Sequence, residues 1–180
     1  KVGSECYMEL SKNEVLMLNA IVVSYGSKCF SPAKGAIIVK QDSIVSSGCI
    51  TVPKGIQSCK ERGYCLKRKA GYGHGTGNSK CISIHAEANA IFNAVKQGIS
   101  TFGTTIYCTH SPCYECAKLI MQAGIMQVYY LYKYDNVGIQ MLLQSGIQVK
   151  QVATINMVDV NDIAEFVYCP YCGSLNTYET

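Results

Sequence analysis

The chain has 180 residues, 48% hydrophobic and 16% charged, with a formal net charge of +4 and a mean hydropathy of +0.11. That length suits one compact domain with a sizeable core. The mild basicity fits a small anionic partner but falls short of the basic stripe that duplex DNA demands, and no apolar run approaches the roughly 18 residues of a membrane span.

Eleven cysteines stand out. The N-terminus shows no basic-then-apolar leader, so a reducing cytoplasm is the expected setting. There, clustered cysteines bind metal more often than they form disulfides. Cys6, Cys49 and Cys108 stand apart from the clusters and read as isolated thiols.

Residues 13–27, NEVLMLNAIVVSYGS, are long in apolar residues and poor in breakers, which predicts a buried helix ending near Gly26. Two strands follow at 34–40 and 43–49, joined by Gln41 and Asp42 as a short hairpin turn. Residues 51–80 read as irregular, rich in Gly, Lys, Arg and Cys; so long a loop in a compact domain is usually functional or pinned by metal. Its stretch 71–77 is not a phosphate-binding fingerprint, since no strand precedes it and no Lys-Ser/Thr follows.

From 85 to about 97, Ala86, Ala90, Ile91, Ala94 and Val95 recur at helical spacing, with Gly98 as a stop. A strand at 104–110, a helix opened by Ser111-Pro112 and running to Ala123-Gly124, a strand at 126–132, a helix at 136–146 and a strand at 147–152 complete the pattern. A leading helix and then β-β-α-β-α-β-α-β predicts an α/β fold, a mixed sheet covered by helices on both faces. Residues 1–165 are expected to form the domain and 166–180 a short tail.

Chemistry concentrates in two motifs. SIHAEANAI (83–91) puts His85 and Glu87 two apart at a helix start, and SPCYEC (111–116) puts Cys113 and Cys116 on one side of another first turn. Together they supply three protein ligands, the number typical of a catalytic zinc that keeps its fourth position for water. Helix N-termini favour thiolates. Glu87 lies beside such a metal without binding it, where it can move a proton from water to a nitrogen leaving group.

His-x-Glu followed by Pro-Cys-x-x-Cys is a known signature of zinc nucleobase deaminases. HAEANAI, SPCYEC and the preceding two-strand unit resemble the cytidine deaminase superfamily over roughly residues 13–150, most closely its deoxycytidylate deaminase branch. The resemblance implies a three-layer α/β/α fold with a mixed five-stranded sheet. It also implies a catalytic Zn2+ on His85, Cys113 and Cys116, and Glu87 as proton shuttle. The implied reaction is hydrolysis of dCMP to dUMP and ammonia, which supplies dUMP for dTMP synthesis. It further implies a homo-oligomer regulated by dCTP and dTTP, with Mg2+ accompanying the regulatory nucleotide.

In that branch an additional zinc ties the first helix to the long loop. Here Cys29, Cys59, Cys65 and Cys81 would form that structural site and pin residues 51–84, with His74 as the alternative ligand for one of them. In the tail, Cys169 and Cys172 have zinc-knuckle spacing but no second pair with suitable spacing.

Substrate contacts are read at Asn89, Ile50, Lys96 and Tyr134, with Tyr132 and the Lys and Arg residues of 60–69 as further candidates for base and phosphate. The branch usually carries Gly-Tyr-Asn-Gly after the second strand, whose Asn holds the sugar. This chain has Gly48-Cys49-Ile50-Thr51, an aliphatic side chain in place of the amide. Two alternatives to dCMP therefore stand beside it: another cytosine or nucleobase substrate, such as a modified nucleotide, a nucleoside or a polynucleotide, and a zinc-stabilised module that binds nucleotides without turnover.

Overall fold

The computed structural model describes residues 10–73 and 76–152. Helix α1 (Lys12–Ser24) is followed by the antiparallel pair β1 (Gly35–Lys40) and β2 (Ser43–Cys49). Two four-residue helices, α2 (Cys59–Arg62) and α3 (Leu66–Lys69), come next, then α4 (Ala86–Lys96). The chain continues through β3 (Thr105–His110), α5 (Tyr114–Gln122), β4 (Gln127–Tyr132), α6 (Asn136–Gln144) and β5 (Gln148–Gln151).

The five strands form one sheet in the order β2-β1-β3-β4-β5. β1 is antiparallel to both β2 and β3, whereas β3, β4 and β5 run parallel. Alternation along β1 divides the core. Ile37 and Val39 pack with Leu16, Met17 and Ala20 of α1, joined by Tyr107 and Leu131. Ala36 and Ile38 face the other way, into a cluster with Ala86, Ala90 and Ile91 of α4, Ala117 and Ile120 of α5 and Leu142 of α6. The expected three-layer α/β/α arrangement with a mixed five-stranded sheet is what the chain forms.

The first helix ends before Gly26, with Tyr25 as its C-cap, and it begins in a capping box at Ser11 and Glu14. The loop at 51–80 is more ordered than its composition implies. Ser58 and Glu61 form a second capping box that opens α2, and Gly63 closes it in the left-handed region at φ 79°. Ser-x-x-Glu is legible in the sequence, but a four-residue helix has no apolar periodicity to accompany it. Between β1 and β2, Gln41 and Asp42 both have positive φ, 45° and 66°, as a two-residue hairpin turn of the primed type requires. Among the described residues no helix is long and apolar enough to cross a membrane.

Candidate active site

Helix α4 is held on β2 by unusually close backbone contact. A Cβ on Gly48 would lie 2.4 Å from Ala90 N and 2.5 Å from Ala86 O, so only glycine lets the helix approach this far. Polar contacts lock the register: Ser46 Oγ donates to Ala90 O (2.6 Å) and Asn93 Nδ2 to Ser47 O (2.9 Å). Thr51 and Ile84 exchange backbone hydrogen bonds of 3.3 and 2.7 Å, which fixes the chain immediately before His85.

His85 is the N-cap of α4 and Cys113 the N-cap of α5, each with extended backbone and neither making a side-chain cap hydrogen bond. Their side chains turn toward each other instead. His85 Nδ1 lies 3.4 Å from Cys113 Sγ and 3.4 Å from Cys116 Sγ. All three ligand atoms fall within 4.8 Å of one another, close enough to share one metal ion. Tetrahedral zinc with nitrogen at about 2.0 Å and sulfur at about 2.3 Å places such atoms about 3.5 Å apart, so the donor set fits zinc in chemistry and spacing.

The thiols are unequal. Cys113 is pulled down to about 4, first by the Cys116 thiol donating to its thiolate and also by His85. Cys116 is pushed up by that same hydrogen bond and by burial. One thiolate is therefore formed by the protein alone; a cation is the natural means of forming the second. Glu87 is only 7% exposed, and burial, the largest cause, raises its carboxyl above the ordinary range. Such a group holds a proton readily and surrenders it to a stronger base.

The first turn of α5 is supported from outside the motif. Asp135, the N-cap of α6, accepts from Val137 N (2.8 Å) and also from Tyr114 N (3.1 Å) at the start of α5. Ser111 Oγ accepts from Tyr134 N (2.8 Å) and Asp135 N (2.9 Å). Sequence reasoning read Ser111 only as a helix opener and missed Asp135. Asp135 does stand where an N-cap is expected before a helix, but its second partner is 21 positions away.

The structure distributes the other candidates unevenly. Asn89 is 7% exposed, and its amide nitrogen donates to Cys49 O (2.7 Å) and Ile84 O (3.5 Å), tying α4 to the strand end. Ile50 is buried, with its backbone bonded to Lys34 O and Lys28 N, both at 3.2 Å. Tyr134 is exposed at the rim, under Lys34. Lys96 is not brought to the metal ligands. It ends α4, nine residues after Glu87, and at about 1.5 Å rise per residue it stands roughly 14 Å along the axis from it.

Of the second thiol set, Cys59 is raised to about 11 by burial and then by the neighbouring Cys29, Cys65 and Cys81. Burial pushes Cys29 up too, but the Ser31 N–H, the Ser83 hydroxyl and the Cys59 thiol bring it below its ordinary value. The four thiols share one neighbourhood without the mutual closeness of the His85 group. His74, Cys169 and Cys172 lie outside the described residues.

Residues 10–132 match the family described as the cytidine and deoxycytidylate deaminase zinc-binding region. The deoxycytidylate deaminase of Enterobacteria phage T4 is 33% identical over 192 residues, covering 86% of this chain and 98% of that protein. ComE operon protein 2 of Bacillus subtilis (strain 168) is 34% identical over 152 residues, covering 83% and 75%. The dCMP deaminase from cyanophage S-TIM5, solved in complex with dCMP and dUMP, matches with a TM-score of 0.67 at 33% identity, over 81% of this chain and all of that one. With the ligand geometry and the relatives in agreement, the chain belongs to the cytidine and deoxycytidylate deaminase zinc-binding family.

Proposed function

We propose that the chain deaminates dCMP hydrolytically, converting dCMP and water to dUMP and ammonia. The observation that carries this is the buried Glu87 carboxyl two residues from His85, in a site whose His85, Cys113 and Cys116 atoms lie at zinc-ligand separations. A zinc ion on those residues supplies the Lewis acidity that makes water a competent nucleophile near neutral pH. Glu87 would take a proton from the water that attacks C4 and deliver it to N3 of the ring, then take the second proton from the new C4 hydroxyl and pass it to the departing amine, leaving the C4 carbonyl and ammonia. Burial of Glu87 suits this traffic, because it brings the carboxyl closer to the basicity of the groups it serves.

A binding module without turnover has no use for a carboxyl buried in this position, which favours the enzyme. Among cytosine substrates, the buried aliphatic Ile50 favours a second reading in which the deoxyribose or base carries a modification that an amide would not match. A panel of dCMP, CMP, dCTP, deoxycytidine, modified cytosine nucleotides and single-stranded DNA, followed by ultraviolet absorbance, separates these. Activity on non-phosphorylated compounds alone overturns dCMP. Glu87→Ala is expected to abolish ammonia release while zinc stays bound.

A structural zinc on Cys29, Cys59, Cys65 and Cys81 is supported by the mutual influence of these thiols. A homo-oligomer is supported by the exposed Phe92, Val95, Phe102, Leu119 and Met126. Regulation by dCTP and dTTP with Mg2+ rests on family resemblance. A cytoplasmic setting is supported by the eight free cysteines of the described residues.

A further inference from the structure

We infer that Lys34 is the cation that receives the substrate's phosphate, held ready over the ring of Tyr134 until the nucleotide arrives. This rests on the nucleotide-deaminase reading above and names the residue that separates a nucleotide from a nucleoside.

Strand alternation puts Lys34 on the catalytic face. Ala36 and Ile38 pack toward α4 and α5, whereas Ile37 and Val39 pack toward α1. Lys34 shares the parity of Ala36 and precedes the first strand residue. Because β1 is antiparallel to β3 with Ala36 opposite Cys108, a step of two residues outward brings Lys34 abreast of His110. His110 is paired in turn with Tyr132 on β4. This end of the sheet is also where α4 and α5 begin, with His85 and Cys113 as their N-caps.

The side chain is poised rather than committed. Its Nζ lies 4.0 Å from the Tyr134 ring centroid, and it forms no ion pair with any described residue. Lys34 is half-buried, so its ammonium is less screened than one in open water. Its positive charge bears on the His110 ring, which the β1–β3 register sets abreast of it. Backbone contacts hold it there: Lys34 O accepts from Ile50 N at 3.2 Å, at the end of the β1–β2 ladder.

The site needs such a charge. Two thiolates and a carboxylate exceed the charge of one zinc dication, so a phosphate dianion gains nothing from the metal centre itself. His110 does not help, since burial and Lys34 hold it neutral. Lys96 stands at the far end of α4. A cation–π contact is weaker than a charge-assisted hydrogen bond to phosphate, so the ammonium leaves the ring for the ligand without a large penalty.

The test compares Lys34→Met and Lys34→Arg with the wild type, all zinc-loaded and with zinc content and thermal melting as controls. Binding of dUMP and of deoxyuridine is measured by calorimetry, and steady-state kinetics with dCMP alongside. Lys34→Met is expected to weaken dUMP and raise KM for dCMP by roughly 10- to 100-fold, with deoxyuridine binding and zinc content unchanged. Lys34→Arg should recover most of the loss. Equal weakening of dUMP and deoxyuridine, or an unchanged KM for dCMP, overturns the inference. A wild type that binds dUMP no better than deoxyuridine also overturns it; if that protein still deaminates dCMP, the proposed function survives alone. If no cytosine compound is deaminated, both fall.

Discussion

Asp135 Oδ2 accepts the backbone N–H of Tyr114 at 3.1 Å, so a residue from the start of α6 caps the helix that carries Cys113 and Cys116. The arrangement answers a local conflict. The N-cap position normally offers a side-chain oxygen to the free amides of the first turn. In α5 that position is Cys113, whose sulfur faces His85 and makes no cap bond. Asp135 supplies the missing acceptor while its other oxygen caps its own helix through Val137 N.

Asp135→Ala is accordingly expected to cost about 1–2 kcal/mol of stability, since two helix starts lose an acceptor. Because the same carboxylate orients the turn bearing two ligands, zinc affinity should fall about 10-fold. Thermal melts and competition with a chromogenic chelator measure the two effects. Asp135→Asn should retain most of both. Loss of stability with unchanged zinc affinity would reduce Asp135 to an ordinary helix cap.

The contact of α4 with β2 makes Gly48 equally sensitive. Any Cβ there meets the backbone of Ala86 and Ala90 rather than a side chain that can swing away. Gly48→Ala should destabilise by roughly 1–3 kcal/mol through overpacking. It should also lower kcat, because the displaced turn carries His85 and Glu87. A variant that melts like the wild type would mean that α4 slides on the sheet without strain.

These two predictions show what the sequence made legible. His85, Glu87, Cys113 and Cys116 sit in short motifs whose spacing encodes local geometry: a cap and its second residue in α4, a cap and its third residue in α5. The strands and long helices follow from apolar periodicity. Asp135 to Tyr114 and Lys34 to Tyr134 are contacts between distant segments, set by strand register and sheet order, and nothing in either local stretch specifies its partner. The place of Lys96 is likewise set by the element that carries it. It follows Glu87 closely in sequence, but an α-helix carries it away along the axis. Helices α2 and α3 escaped notice because four residues show no period.

Metal content tests the second thiol set. Roughly two zinc ions per chain are expected if Cys29, Cys59, Cys65 and Cys81 close a structural site. Cys59→Ser should bring this to roughly one and speed amide exchange across residues 58–72, because the short helices there lose the tether. A content near one in the wild type, unchanged by Cys59→Ser, would leave these cysteines as loop thiols.

His110 sets a pH dependence of stability that its partners explain. Burial first, and then Lys34, lower its pKa from the ordinary 6.5 to about 4. The ring lies beside Tyr132, with centroids 5.3 Å apart, and its Nδ1 is 3.2 Å from Thr109 Oγ1. Between these pKa values the unfolded chain binds a proton that the folded chain refuses. The resulting stability is fully present above pH 6.5 and is lost as pH falls toward 4. Since the ring is only about half-buried, solvent screening reduces the effect to on the order of 1–2 kcal/mol. The measurement is the difference in melting between wild type and His110→Gln at pH 7 and pH 5, which cancels other titrating groups. The wild type should lose more stability on acidification than the variant, and Lys34→Met should narrow the gap by removing one of the two causes. The His110 ring proton resonances should stay nearly constant from pH 8 to about 5.5. A titration centred near 6.5 would show that the ring takes up its proton freely, and would remove both the pH dependence and the neutral rim it implies beside Lys34.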